Sequence, residues 1–163
     1  MDDTGPRAVL ERAQHLFLAK DLNGFADMFA VDGTHELPFA PPGVPKFLRG
    51  REPIRQYLTS ITSTPLELTR FDSLAVYQTE DPETLIAEYE GHGRVVSTGR
   101  PYTMPYIQLL RARDGEILTW RDYWSPLAGV QALGVRGLIP TIARTARSHW
   151  KRRGQADTAA ARS

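Results

Sequence analysis

The sequence predicts an α+β domain: three N-terminal helices packed on a curved antiparallel sheet, with an extra helix at the C-terminal end. Three observations carry this. Apolar residues recur at helical spacing within 7–20, 22–30 and 51–61. From position 66 the texture changes to runs rich in Tyr, Val, Ile, Leu and Thr, separated by short turn-forming segments. Strands joined by such short loops make an antiparallel meander, because a parallel pair needs a crossover of about a dozen residues or more.

The first helix is RAVLERAQHLFLAK, residues 7–20, where Val9, Leu10, Ala13, Leu16 and Phe17 form one stripe; Thr4 and Pro6 suit its start. Asp21 suits the cap of a second short helix, LNGFADMFA, with Leu22, Phe25, Met28 and Phe29 on one face, and Asp32-Gly33 reads as the turn that ends it. THELPF is short and extended, and APPGVP is too rich in proline for regular structure. The third helix, REPIRQYLTSI, has Pro53 in its first turn and an apolar stripe of Ile54, Tyr57, Leu58 and Ile61; Thr64-Pro65 stops it. The strands are LELTRFDSLAVYQ, TLIAEYEGHGRVV, YTMPYIQLLRAR and EILTWRDYW. EDPE, STGRP and RDGE separate them, the last a tight hairpin by its Asp114-Gly115. SPLAGVQALG reads as a short helix closed by Gly134, and RGLIPTIARTARSHWKRR as a basic amphipathic helix interrupted near Pro140. The organisation is therefore one domain over 1–135, a basic helix over 136–153 and a disordered tail over 154–163.

Composition narrows the function classes. The 163 residues are 41% hydrophobic and 24% charged, an ordinary globular mix. There is no Cys, which excludes disulfides, thiolate metal sites and a Cys nucleophile. The N-terminus is acidic, without the apolar stretch of a signal peptide, and no apolar run is long enough to span a bilayer, so a soluble cytoplasmic protein is expected. Residues 1–135 carry 13 Lys and Arg against 18 Asp and Glu, a net of −5; residues 136–163 carry 7 against 1, a net of +6. Such a basic tail is commonly a solvated end, so nucleic acid is not an expected partner.

Chemistry-bearing residues concentrate on the strands. Period-2 alternation puts Leu118, Trp120, Asp122 and Trp124 on one face of EILTWRDYW, and Thr119, Arg121 and Tyr123 on the other. A curved sheet wrapped on helices leaves a cone whose mouth suits a ligand. If the Asp122 face lines that cone, burial raises its pKa toward the range useful for a general acid or base. The alternative is an ion pair with a neighbouring Arg, or a place in a dimer interface. Tyr102, Met104, Tyr106, Gln108 and Leu110 share a face, with Tyr106 and Gln108 the best donors to a ligand oxygen; the alternative for that face is core packing. Glu88, Glu90 and His92 share a face as well, but no second His-rich segment completes a metal site, so a solvated or interface row and no metal are expected. His35 and Glu36 alternate, so one of them enters the cone. His15 and His149 are expected at the surface. With neither a glycine-rich strand–helix loop nor GxSxG, no cofactor is expected.

The order of elements over 7–135 resembles the NTF2-like superfamily, the cone-shaped fold shared by nuclear transport factor 2, ketosteroid isomerases, scytalone dehydratase, limonene epoxide hydrolases and SnoaL-type polyketide cyclases. VYQTEDPETLIAEYEGHGRV, then RDGEI, then WRDYWSPLAGVQALGV are similar to the phenazine-biosynthesis A/B proteins and their SnoaL-like relatives. Those carry a hairpin Asn/Asp-Gly-Lys/Glu-Ile, then Arg-Glu-aromatic, Asn-Pro and Ala-Leu-Gly. The resemblance implies that Asp122, within Arg121-Asp122-Tyr123, stands at a catalytic proton-transfer position. It also implies a His in a Gly-His-Asp segment near the start of the third helix, where this sequence reads Gly50-Arg51-Glu52. Ketosteroid isomerases draw their base from roughly the region of His35. Limonene epoxide hydrolases use an Asp-Arg-Asp triad, for which Asp122 with Arg70 or Arg100 is the candidate set.

The expected activity is cofactor-free acid–base proton transfer on a small hydrophobic or aromatic secondary metabolite, giving isomerisation, cyclisation or dehydration. Asp122 is the expected catalytic residue, and Trp120, Trp124, Tyr106, Gln108 and His35 the substrate contacts. The alternatives are a non-catalytic ligand-binding or assembly domain of the same fold, and an epoxide hydrolase-like activity. A homodimer through the outer sheet face is expected.

Overall fold

The computed structural model describes residues 4–133, so the basic helix over 136–153 and the tail over 154–163 lie outside the described residues. Pro6 occupies the first turn of α1 (Pro6–Leu18), where a missing N–H costs nothing, and the helix buries Val9, Leu10 and Ala13. Asp21 caps α2 (Leu22–Asp27), its Oδ1 accepting from the Gly24 N–H at 2.8 Å. Then come β1 (Phe29–Glu36), β2 (Phe47–Arg49), α3 (Arg51–Ile61), β3 (Leu66–Gln78), β4 (Thr84–Val95), β5 (Pro101–Arg113) and β6 (Glu116–Trp124). Residues 126–133 are helical. Asp114 and Gly115 both have positive φ, 52° and 81°, the backbone that a two-residue β5–β6 hairpin demands.

The six strands form one sheet in the order β2-β1-β6-β5-β4-β3. The expected meander holds from β3 to β6, but the sheet as a whole is mixed, because β1 pairs parallel to β6. The source of that difference is the segment after α2. The second helix ends at Asp27, and Phe29 already begins a strand. Asp32-Gly33 does not end a helix; it lies in an irregular stretch where the β1–β6 register shifts between Phe29 and Thr34. A side chain at Gly33 would come within 2.8 Å of the Ile117 carbonyl, so glycine permits the close approach of the two strands. The short edge strand β2 was too brief and too close to proline to be expected.

A second register shift, between Arg111 and Ala112 of β5, alters the face pattern of β6. Ile117, rather than Leu118, joins the core with Trp120. From Trp120 onward the expected alternation holds. The helices cover the concave face, where Leu10, Phe25, Ile54 and Leu58 pack on Leu85, Leu110 and Ile117.

Candidate active site

Between the helices and the concave face lies a cavity of about 350 Å³. Its apolar wall follows from the stripes on α1 and α3 and the inward positions of β3 to β6. Nine of its lining residues are Phe, Tyr or Trp: Phe17, Phe25, Tyr57, Phe71, Tyr89, Tyr102, Tyr106, Trp120 and Trp124. Tyr89 and Tyr106, paired across β4 and β5, stack at 5.3 Å and 17°.

Asp122 enters this cavity from β6 on the face shared with Trp120 and Trp124. Its Oδ1 is buried and has no hydrogen-bond partner. Burial pushes its pKa from the ordinary 3.8 to about 7. The neighbouring Arg121 points the other way, to Glu36, at 2.6 Å. Tyr57, Tyr89 and Tyr106 are all held above the ordinary phenol range, first by burial and then by the nearby negative charge of Asp122. Tyr102 is pushed up to about 12, by burial and then by Glu67. The four phenols therefore remain hydrogen-bond donors at neutral pH.

His35 is the member of the His35-Glu36 pair that enters. It is 2% exposed, and the parallel β1–β6 pairing sets it opposite Trp120. The Tyr57 ring meets it edge-on at 5.5 Å. Neither ring nitrogen has a partner, and burial lowers its pKa to about 4, so the imidazole is neutral at pH 7.

Gln108 departs from the expected role. It is fully buried, sits opposite Asp122 in the β5–β6 register and does not line the cavity. Its Nε2 donates to the Arg121 carbonyl at 2.8 Å, and its Oε1 accepts from the Tyr89 hydroxyl at 3.3 Å. It positions Tyr89 and β6 rather than meeting a ligand. The residue not anticipated is Gln14 of α1, which lines the cavity and whose Nε2 makes no hydrogen bond. Its signal is present in the sequence: Gln14 lies four residues after Leu10 and three before Phe17, a polar position in an apolar stripe.

Other candidates fall elsewhere. Arg70 pairs with Asp72 at 3.1 Å on the surface, and Arg100 donates to the carbonyls of Gln131 and Ala132. Neither lines the cavity, so among the described residues no Asp-Arg-Asp triad forms around Asp122. Arg51, standing where the phenazine proteins' His is implied, donates to the Phe29 carbonyl at 2.6 Å and to Glu116. His92 sits 3.5 Å from Glu90 and 3.8 Å from Asp72, yet among the described residues no group suited to a metal ion is found. His15 is exposed, and His149 lies outside the described residues. No helix among the described residues is long and apolar enough to cross a membrane.

Residues 10–120 match the SnoaL-like domain. An uncharacterised PhzA/B-like protein of Pseudomonas aeruginosa is 37% identical over 129 residues, 78% of this chain and 89% of that protein. A crystal structure named "Putative Isomerase from Bacillus subtilis" superposes with a TM-score of 0.73 at 33% identity, covering 79% of this chain and 92% of that one. An NTF2-like protein of unknown function from Burkholderia pseudomallei superposes at 0.62 with 15% identity, covering 80% and 98%. The chain belongs to the SnoaL-like family and has the NTF2-like fold.

Proposed function

We propose that this SnoaL-like protein is an acid–base enzyme that moves a proton on a small hydrophobic or aromatic molecule, with Asp122 as the proton carrier. The observation that supports this most is the Asp122 carboxyl itself, aimed into an aromatic cavity with an unpartnered oxygen and a pKa of about 7. A carboxyl of that affinity is populated in both forms near neutral pH, which suits it to take a proton and return it. As carboxylate it would abstract a proton from carbon next to a carbonyl. Negative charge then develops on the substrate oxygen. The neutral imidazole of His35 and the protonated phenols of Tyr57 and Tyr106 are the donors available to that oxygen. Return of the proton to another atom gives isomerisation; capture of the carbanion by a second carbonyl gives cyclisation; loss of a β-hydroxyl gives dehydration. The scheme uses no cofactor. The names of the Pseudomonas and Bacillus relatives, PhzA/B-like and isomerase, fit this class of reaction.

The test is deuterium exchange from solvent into a panel of aromatic and polyketide-like ketones, followed by NMR. Asp122→Asn keeps the shape of the side chain and removes its titration. The variant should still bind, while exchange falls by roughly 10²–10⁴-fold, the usual contribution of a positioned acid or base. Full exchange activity in the variant refutes the assignment. Binding without exchange in the unaltered protein favours a ligand-binding domain of the same fold.

A further inference from the structure

The charges around the cavity are one-sided. Its ionisable lining consists of Asp122, His35 and four tyrosines, and among the described residues no Lys or Arg lines it. The cation nearest in sequence, Arg121, is committed to Glu36 on the outer face. An anionic ligand would shed its water and meet a carboxylate in place of a countercharge, which is strongly unfavourable in a low-dielectric site.

The unpaired polar atoms say what the cavity offers instead. Among the described residues, the buried side-chain nitrogens and oxygens without a partner are Gln14 Nε2, both ring nitrogens of His35 and Asp122 Oδ1. All three residues line this one cavity. Buried polar atoms are normally paired, so their concentration around one space marks the place of a ligand's own polar groups. Gln14 and the neutral His35 imidazole are the uncharged donors of the set, and Gln14 has the greater donor capacity. Its amide carries two N–H bonds. The Tyr89 hydroxyl lies beside it, but one oxygen cannot accept both hydrogens of a single NH2 group, so at least one N–H remains for a ligand.

We infer that the cavity takes an uncharged ring compound bearing an oxygen, that the Gln14 amide donates to that oxygen, and that carboxylated analogues are rejected. This deepens the acid–base reading of the same site and rests on it. Gln14 is then a specificity residue, reaching from α1 into the same cavity that Asp122 enters from β6. A cavity of about 350 Å³ suits a small ligand.

Equilibrium dialysis at pH 7.5 with three naphthalenes tests this: 2-acetylnaphthalene, 2-ethylnaphthalene and 2-naphthoate. The intact protein should bind 2-acetylnaphthalene at least about 30-fold more tightly than 2-naphthoate, given the cost of burying an unpaired anion. Gln14→Leu should weaken 2-acetylnaphthalene about 3- to 10-fold, the loss of one hydrogen bond, and leave 2-ethylnaphthalene unchanged. Gln14→Met, which keeps the side-chain length, replaces the Leu variant if circular dichroism shows that the latter is unfolded. Equal binding of 2-naphthoate, equal weakening of both neutral ligands by the variant, or no binding of 2-acetylnaphthalene overturns the inference. These readouts involve no turnover. Full activity in Asp122→Asn would therefore sink the acid–base reading while leaving the selectivity result intact, and retained 2-naphthoate binding would do the reverse.

Discussion

Asp122→Asn should stabilise the protein at neutral pH, by an amount that vanishes in acid. The carboxyl's pKa rises from 3.8 to about 7 on folding. Between those values the folded chain holds a proton that the unfolded chain has released, so stability falls as pH rises. Each pH unit across that window costs about 1.4 kcal/mol, giving about 4 kcal/mol above pH 7 and nothing below pH 3.8. The cavity opens to solvent, which relieves part of the burial, so about 2 kcal/mol is the smaller expectation. His35 acts in the opposite sense. Its pKa falls from 6.5 to about 4, so between those values the unfolded chain holds the extra proton and stability rises with pH. In the intact protein the two slopes nearly cancel between about pH 4 and 6.5. Asp122→Asn removes one of them and exposes the other. Urea denaturation of both proteins at half-unit steps from pH 4 to 8 gives the difference directly, because all other groups subtract. The difference should grow with pH and level off just above 7. A flat difference, or a variant less stable at pH 8, would refute the burial argument.

Gln108→Leu leaves the Arg121 carbonyl and the Tyr89 hydroxyl without their partner, so urea denaturation should show a loss of about 2–4 kcal/mol, two buried groups' worth. Gly33→Ala forces a methyl group against the Ile117 carbonyl; a loss of about 1–3 kcal/mol is expected, together with chemical-shift changes at His35, and an unperturbed His35 would show that the β1–β6 approach does not set its place. A homodimer through the outer sheet face is expected from the exposed Ile107 beside Phe39 and Leu127, and Ile107→Glu should convert it to monomer in light scattering at micromolar concentration. A monomer in the unaltered protein removes that expectation.

Local chemistry made most of the fold legible. The limits of β3 and β6 are those of the LELTRFDSLAVYQ and EILTWRDYW runs, and Asp114-Gly115 supplies the positive φ its turn needs. What escaped is what depends on distant partners. The first half of β1, 29–33, reads as the end of a helix followed by a turn, although THELPF reads as extended, because the parallel neighbour that makes the whole segment a strand lies about ninety residues on. The slip opposite Arg111–Ala112 leaves Leu118 of β6 as the extra residue and moves Ile117 inward, and strict alternation along β6 does not show where an extra residue falls. In the site, alternation sufficed for Trp120, Asp122, Trp124 and Tyr106. It placed Gln108 inward too, but whether an inward amide meets a ligand or a carbonyl is decided by the adjacent strand. Gln14 is legible from the spacing of α1 alone, as the polar residue that interrupts an otherwise apolar face.

The parallel pairing that sequence did not show is also what gives the cavity its chemistry. It brings His35 opposite Trp120, one inward position from Asp122, so two titratable groups far apart in the sequence face one apolar space. Burial moves the two pKa values in opposite directions, past each other, and so keeps both groups neutral between about pH 4 and 7. Above 7 the carboxylate becomes the single charge among the described lining residues, facing phenols that remain protonated and an imidazole that remains neutral. Packing alone would favour apolar side chains at both positions, since each group is buried without a compensating bond. The arrangement is reasonable for a site that must present one base to an uncharged molecule and supply neutral donors where charge appears on it.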